Sequence, residues 1–350
     1  MAYTEIDNPG EYFNTKLYTG NGSTQSITDV GFKPDWTWIK PRAANYSHNL
    51  TDIVRGVGKG IFPDLTATEY DYGTGTNGSV RTFDSDGFSL GSATQVNPNG
   101  VNIASWNWLA GGSQGSSNTD GTINTTYTSA NTTSGFSIVT YTGTGSNATV
   151  GHGLGAVPTM IIAKEKTGSA NDWTVYHVTQ GNTTRGILNE SNAWGSNTAW
   201  NNTTPTSSVF SIGSGSVTNR NNSTYIAYCF SDVKGFSRMG SYTGNGNTNG
   251  SFIYTGFSPA WLMIKQVAAS NDWFIIDNKR EPFNPNNVQL VANTSGSAST
   301  NKGDLNLLSN GFKPLSTNAA WNENNAVYVY MAFAQNPFVT GSSAIPTTAR

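Results

Sequence analysis

Three histidines, one cysteine and a few paired carboxylates are the residues with which this chain could do chemistry. The histidines are His48, His152 and His177, and their spacing fits no zinc motif. With Cys229 alone, no thiolate site and no internal disulfide can form. Cys229 lies in Tyr225-Ile226-Ala227-Tyr228-Cys229-Phe230, a strand-like run in which it reads as a small buried hydrophobe. Carboxylates paired across a cleft would suit glycoside hydrolysis. The candidates are Asp84 with Asp86, Glu69 with Asp71, and Asp120. Asp84-Ser85-Asp86-Gly87 also resembles the start of a calcium loop, but it lacks the closing Glu and flanking helices, so it reads as a turn and no metal is assigned. No Gly-x-Ser-x-Gly elbow stands at a strand-to-helix junction. Gly213-Ser214-Gly215-Ser216 and Gly151-His152-Gly153-Leu154-Gly155 read as turns, the second because no helix follows to face a phosphate. These residues imply neither a catalytic centre nor a cofactor.

The tryptophans divide into two groups. Trp36, Trp38, Trp106, Trp108, Trp173, Trp261 and Trp273 fall at repeated strand positions and read as core. Trp194, Trp200 and Trp321 stand in Asn/Ser/Thr-rich segments, where an exposed indole face among amides and hydroxyls would suit a sugar ring; they are the candidate glycan or receptor contacts.

The elements that must position these residues are strands. Hydrophobic residues are 36% and aromatics 12% of the 350, enough for packed cores, while charged residues are only 11%, against about 25% in a typical domain. Solubility therefore rests on Ser, Thr, Asn and Gly, which are poor helix formers but good turn formers. No ten-residue helix is expected; Ser47–Lys59 comes nearest and is broken by Gly56 and Gly58. The net charge of −2 and the lack of any Lys/Arg block argue against a nucleic-acid partner. No apolar run approaches the ~20 residues of a membrane span. Met1–Asp7 has no basic or apolar signal region, so the Asn-x-Ser/Thr triplets, such as those at Asn21, Asn77, Asn124, Asn131 and Asn147, read as turn chemistry.

The chain repeats itself. Leu17-Tyr18-Thr19-Gly20-Asn21-Gly22, Thr140-Tyr141-Thr142-Gly143-Thr144-Gly145 and Ser241-Tyr242-Thr243-Gly244-Asn245-Gly246 open three segments. Each leads through Pro34, Pro158 or Pro259 to an apolar strand ending in Lys; Tyr18 to Lys40, Tyr141 to Lys164 and Tyr242 to Lys265 span 22, 23 and 23 residues. The closing strands bring Trp106, Tyr228 and Tyr330 at 88, 87 and 88 residues from the opening Tyr. Units of about 100 residues exceed solenoid repeats and match small β-sandwiches. The expectation is an all-β chain of three tandem β-sandwich units of jelly-roll or lectin-like kind: 1–112, 113–235 and 236–350. Tyr3–Phe13, turning at Asn8-Pro9-Gly10, and Thr122–Phe136 read as leading hairpins of the first two units, which the third lacks. Gly111–Ser117 reads as a flexible linker, and units two and three as a rigid pair. The stretch holding Asp52 and Arg55 in unit one is matched with Asn171-Asp172-Trp173 and Asn271-Asp272-Trp273, so it reads as a divergent loop suited to recognition.

Gly135-Phe136-Ser137-Ile138-Val139-Thr140-Tyr141-Thr142-Gly143, Gly31-Phe32-Lys33-Pro34-Asp35, Asp52-Ile53-Val54-Arg55-Gly56, Asp84-Ser85-Asp86-Gly87-Phe88 and Tyr330-Met331-Ala332-Phe333-Ala334-Gln335-Asn336-Pro337-Phe338 resemble a repeat found in structural proteins of marine tailed phages. That family is a domain of unknown function of tail-fibre-like and virion proteins, and the likeness runs from residue 1 to about 338. It implies a non-enzymatic structural protein on the phage surface or tail, a fibre, tail appendage or decoration protein. Other virion proteins and host-surface glycans would be its partners, and a symmetric homo-oligomer its state. The alternatives are a lectin-like receptor-binding module and a polysaccharide depolymerase.

Overall fold

The computed structural model describes residues 4–43 and 45–339. Turn-rich sequence gives strands throughout, as expected, and the only α-helix among the described residues is the single turn Ser216–Asn219. The first unit contains β1 (Phe13–Thr19), β2 (Gln25–Ile27), β3 (Trp36–Pro41), β4 (Asn49–Asp52), β5 (Lys59–Gly60), β6 (Tyr70–Asp71), β7 (Val80–Asp84), β8 (Gly87–Leu90) and β9 (Asn102–Trp108). The second contains β10 (Tyr127–Asn131), β11 (Phe136–Thr142), β12 (Ala148–Gly151), β13 (Met160–Glu165), β14 (Thr174–His177), β15 (Thr184–Ile187), β16 (Gly195–Ser196), β17 (Val209–Ile212) and β18 (Thr224–Phe230). The third contains β19 (Ser237–Thr243), β20 (Ile253–Tyr254), β21 (Phe257–Gln266), β22 (Phe274–Asp277), β23 (Leu290–Val291), β24 (Leu305–Leu308), β25 (Gly311–Pro314) and β26 (Val327–Pro337).

One strand order recurs three times. The main sheets run β1-β9-β3-β4, β11-β18-β13-β14 and β19-β26-β21-β22, all antiparallel, the second extended by β10, β15 and β16 and the third by β23. Against the outer face of each lies a smaller sheet: β2-β8-β7, β12-β17 and β20-β25-β24. Period-2 alternation sends one set of side chains to this outer layer and the other inward. Val139, Tyr141, Ile161 and Tyr225, for instance, pack outward on Phe210 and Ile212.

The opening motif is an anchor for this framework. Tyr18, Tyr141 and Tyr242 each donate their phenol to a carbonyl, those of Val96, Thr218 and Trp321, at 2.7 Å in every case. The next residue after each carbonyl is a buried asparagine: Asn97, Asn219 and Asn322. Their side chains accept the backbone N–H of Asn21, Thr144 and Asn245 at 2.9, 2.7 and 2.8 Å. Glycine at 20, 143 and 244 is required because a Cβ there would run into the carbonyl oxygens of Pro98, Arg220 and Glu323. Glycine at 22, 145 and 246 adopts φ of +66°, +71° and +62°.

The inward faces of the three sheets meet in one aromatic interior. Trp36 stacks on Tyr228 at 4.5 Å, Phe13 on Phe333 at 5.1 Å, and Trp38, Trp106 and Trp108 all pack on Trp261. The three sandwiches are therefore not beads on a string. Gly111–Ser117, expected to be a loose linker, is tied down: Gly112 donates to Asp35 at 2.6 Å, Gln114 to the Val54 carbonyl at 2.9 Å, and Ser129 to the Ser113 carbonyl at 2.6 Å.

Three sets of hydrogen bonds close the units into a ring. Asp52, His177 and Asp277 occupy one register position, opposite Trp36, Met160 and Trp261. Asp52 accepts from Tyr228 of the second unit at 2.8 Å, and Asp277 from the indole of Trp106 of the first at 3.0 Å. His177 meets the Tyr330 carbonyl of the third at 3.3 Å. One strand edge earlier, His48, Trp173 and Trp273 are equivalent, and reach the carbonyls of Val291, Phe62 and Ile187 at 2.9, 2.8 and 2.8 Å. Backbone N–H groups of Glu69, Trp194 and Ala298 form the third set, on the carbonyls of Lys166, Val267 and Arg42 at 3.0, 2.8 and 2.7 Å. In the first and third sets each unit reaches the next in chain order, the third closing on the first, and in the second set the same three pairs are bonded in the reverse sense.

Register corrects several sequence expectations. Counted from the opening Tyr pairings, the partner of Trp106 and Tyr228 in the third unit is Met331, not Tyr330. One residue of offset reverses the face, and Tyr330 instead packs outward against Tyr242 and Phe312. Asp52 and Arg55 are likewise no divergent loop: they recur as Asp277 and Arg280, each Arg Nε 2.5 Å from its Asp, whereas Asn171–Trp173 matches the stretch ending at His48. The N-terminal hairpin is absent from the described residues; Pro9–Glu11 is a 3₁₀ turn, Pro taking the first helical position, where its missing N–H costs nothing. The second unit does have its leading strand, β10.

Two outcomes follow. Gly143→Ala should lower stability by about 2–4 kcal/mol, through a backbone collision that no rotamer relieves; a denaturant titration against Gly155→Ala, where a Cβ meets open space but φ is +70°, separates collision from strain. Burial holds His177 neutral, with its pKa lowered from 6.5 to about 4. The unfolded chain then binds more protons than the native one between those values, so stability falls as pH drops from about 6.5 to 4. His177→Gln should flatten that decline, by up to about 3 kcal/mol at pH 4, as read from urea midpoints at pH 7 and pH 4.

Candidate functional site

The residues capable of chemistry are spent on the framework. His48 Nδ1 accepts the Trp38 indole N–H at 2.8 Å, so Nε2 carries the hydrogen given to Val291. Burial, with Lys40 nearby, pushes its pKa well below the usual histidine range. His177 Nδ1 accepts from Thr179 while Nε2 faces the Tyr330 carbonyl. His152 sits inside its glycine-rich turn, accepting from Leu154 N–H at 3.2 Å and reaching the Thr206 carbonyl at 3.1 Å. That turn is therefore a side-chain-braced loop. Cys229 is fully buried among Val139, Tyr141 and Ala227, and desolvation raises its pKa steeply, which makes its thiolate inaccessible.

The carboxylate pairs do not converge on a cleft. Asp86 accepts the backbone N–H groups of Asp29 and Gly31 at 3.1 and 2.7 Å, and Asp84 is an exposed residue of the same β-hairpin. Glu69 pairs with Arg55 at 3.2 Å and Asp71 with Lys59 at 2.8 Å. Asp120 is held by Asn118. No group of three or more His, Cys, Asp or Glu among the described residues could hold a metal ion.

The lysines that end the repeated strands are the chief group that sequence reasoning left without a role. Lys40, Lys164 and Lys265 are buried, and desolvation lowers each pKa to about 8. Their ammonium groups stay charged at neutral pH because carbonyls surround them: Tyr46 and Ser295, Thr66 and Asn171, Gln266 and Ala269, at 2.6–3.2 Å. The first two cross from unit to unit. Constant spacing from the opening Tyr was the signal that their role is shared.

The tryptophans proposed as sugar platforms lie elsewhere than expected. Trp200 is buried between Tyr176 and Phe210, and Trp321 is buried against Phe274. Neither offers a free ring face. Trp194 is half-buried and wedged across the seam of units two and three, against His177 and Trp273. Polar neighbours in the sequence do not expose a ring when the segment folds back over its own sheet. Exposed aromatic surface is carried instead by Tyr70, Phe283, Phe252 and Tyr254. The last two stand beside two adjoining cavities of about 360 Å³ each, which share Arg238 and Tyr254; the first is lined also by Glu5 of the first unit and by Asp232 and Lys234 of the second. This groove is the candidate binding surface.

No helix among the described residues is long and apolar enough to cross a membrane. No curated protein and no solved structure matches this chain. One family model matches residues 8–337 as a single stretch covering all three units. The chain belongs to that family, described as a domain of unknown function, DUF7483.

Proposed function

We propose that this protein is a non-enzymatic structural component of a tailed-phage virion, a fibre, tail appendage or decoration protein that makes assembly contacts and presents polar loops toward the host surface. The observation that carries this reading is the use made of His48, His177, Asp52 and Asp277: groups that enzymes deploy in clefts here lock three units onto one interior. Such a body keeps its shape under load and shows solvent a surface of Ser, Thr, Asn and Gly, with charged residues only 11% of the chain. A surface of that kind neither steers nor repels strongly, which suits a component whose contacts gain strength from copy number. The resemblance of its motifs to a repeat in structural proteins of marine tailed phages supports the same reading. Other virion proteins are its proposed partners, and homo-oligomerisation is proposed to occur through outer surfaces, because the inner ones are consumed within the chain.

Mass spectrometry of gradient-purified particles from the phage that encodes this chain should find it at stoichiometric abundance, and a particle reconstruction should show a three-lobed body at the surface or tail. Absence from purified particles, or release of reducing sugar ends from host polysaccharide by the pure protein, would overturn the proposal.

A further inference from the structure

The three seams share one plan, and one of them departs from it. The residues that follow Asp52, His177 and Asp277 are Ile53, Val178 and Asn278. Their places are equivalent, because each donates its N–H to the start of its neighbouring strand, on the carbonyls of Asp35, Thr159 and Ala260 at 2.8, 2.8 and 2.9 Å. Across the seam stand the opening-strand residues Ile138, Met239 and Thr15, opposite Tyr228, Met331 and Trp106. Two seams therefore carry aliphatic or Met side chains at both places, Ile53 with Ile138 and Val178 with Met239. The seam of the third unit with the first carries Asn278 and Thr15 instead.

This exchange leaves polar groups in need of partners. Thr15 is 7% exposed, and its Oγ1 has no hydrogen-bond partner in the protein. Leaving a buried hydroxyl unpaired is unfavourable, and the sister positions show that the same fold accepts Ile or Met. Thr15 borders a cleft of about 240 Å³ between the two units. Asn278, also on its wall, donates to Gln335 Oε1 at 2.7 Å, which leaves the Gln335 Nε2 hydrogens for a further acceptor. Asn14 and Asn336 add amides, and Phe13, Ala260 and Ala334 supply an apolar side. Among the described residues, Lys279 is the one charged group on the wall, and it is exposed.

We infer that this cleft is a binding site for one neutral pyranose sugar. Amides and a hydroxyl both donate and accept, as neighbouring sugar hydroxyls do. An ionic ligand would be buried without a compensating charge. A flat aromatic ligand would find no stacking face, because Phe13 is already packed on Phe333 and Trp108 at 5.1 and 4.9 Å. Its edge and the two alanines suit the C–H side of a sugar ring. The volume is below the roughly 300–1,000 Å³ of drug-sized sites, so one ring is held rather than several. Such a site can exist whether or not the protein is a virion component.

The test is NMR titration of the whole protein with D-glucose, D-galactose, D-mannose and N-acetyl-D-glucosamine. At least one should shift the resonances of Thr15, Asn278 and Gln335 together, with a Kd on the order of 1 mM. Thr15→Val keeps the shape and removes only the hydroxyl, and should weaken binding about five- to tenfold. Thr15→Ile installs the residue of the second unit, and should abolish binding by filling the cleft. Tyr254→Ser, in the separate groove, should leave it unchanged. Methyl glycosides that bind as well as the free sugars indicate the end of a glycan chain, and ones that fail indicate a free monosaccharide; either result upholds the site. No response to any of the four sugars would overturn the proposal. So would shifts confined to Phe252 and Tyr254, full affinity in Thr15→Val and Thr15→Ile, or tighter binding of D-glucuronate than of the neutral sugars.

Discussion

Everything in this molecule depends on the inward faces of its three main sheets being dry. Phe13, Trp36, Trp38, Trp106, Trp108, Phe230, Trp261 and Phe333 cover those faces, and each large ring contributes on the order of 2–3 kcal/mol when taken from water. A lone unit would leave its share exposed as a broad aromatic patch, a liability in any monomer. Three units placed around one interior leave none of it wet. The fold is thus a mutual arrangement in which each sheet is the solvent-excluding partner of the other two.

That arrangement sets the polar chemistry. An indole or phenol buried at a seam needs a hydrogen-bond partner, or the desolvation penalty cancels its packing gain. The partner must come from the neighbouring unit, and strand register decides which residue can supply it. Asp52 and Asp277 are not buried there alone. Each is held by the guanidinium three residues on, which also bonds the carbonyl of Leu50 or Ile275. The conspicuous ionisable groups of this chain are therefore consequences of burying tryptophan and tyrosine.

The sequence made the repeat legible because the opening motif is fixed by local geometry: the phenol bond, the glycine where a Cβ would collide, and the glycine at positive φ recur at constant spacing. Strand class and turn positions followed from the same signals. The closing of the units into a ring was not legible, because it depends on which face of each strand points inward. A count of residues gives no face, and the one-residue error at Tyr330 shows the cost. Asn8-Pro9-Gly10 looked like a hairpin turn because 3₁₀ turns use the same residues. The Gly-Ser stretch after Trp108 looked loose because its ties come from Asp35 and Val54, far away in sequence. Trp200 and Trp321 were misplaced for a related reason: amide-rich neighbours describe the loop surface, whereas the ring follows the sheet it packs on. The asparagines at 97, 219 and 322 escaped notice although each stands six residues before the closing-strand partner of the opening Tyr.

The seam residues also carry a historical implication. Contacts that pass in one rotational sense around a closed ring are the kind made by three identical subunits, head to tail. In a true homotrimer, one mutation changes every seam at once. Joined in a single polypeptide, the seams become separate loci. One can exchange its aspartate for His177 and accept a main-chain carbonyl while the others keep Trp106 and Tyr228 as donors. In a single polypeptide the three seams can be adjusted independently, whereas in a self-assembling trimer every change is made three times over.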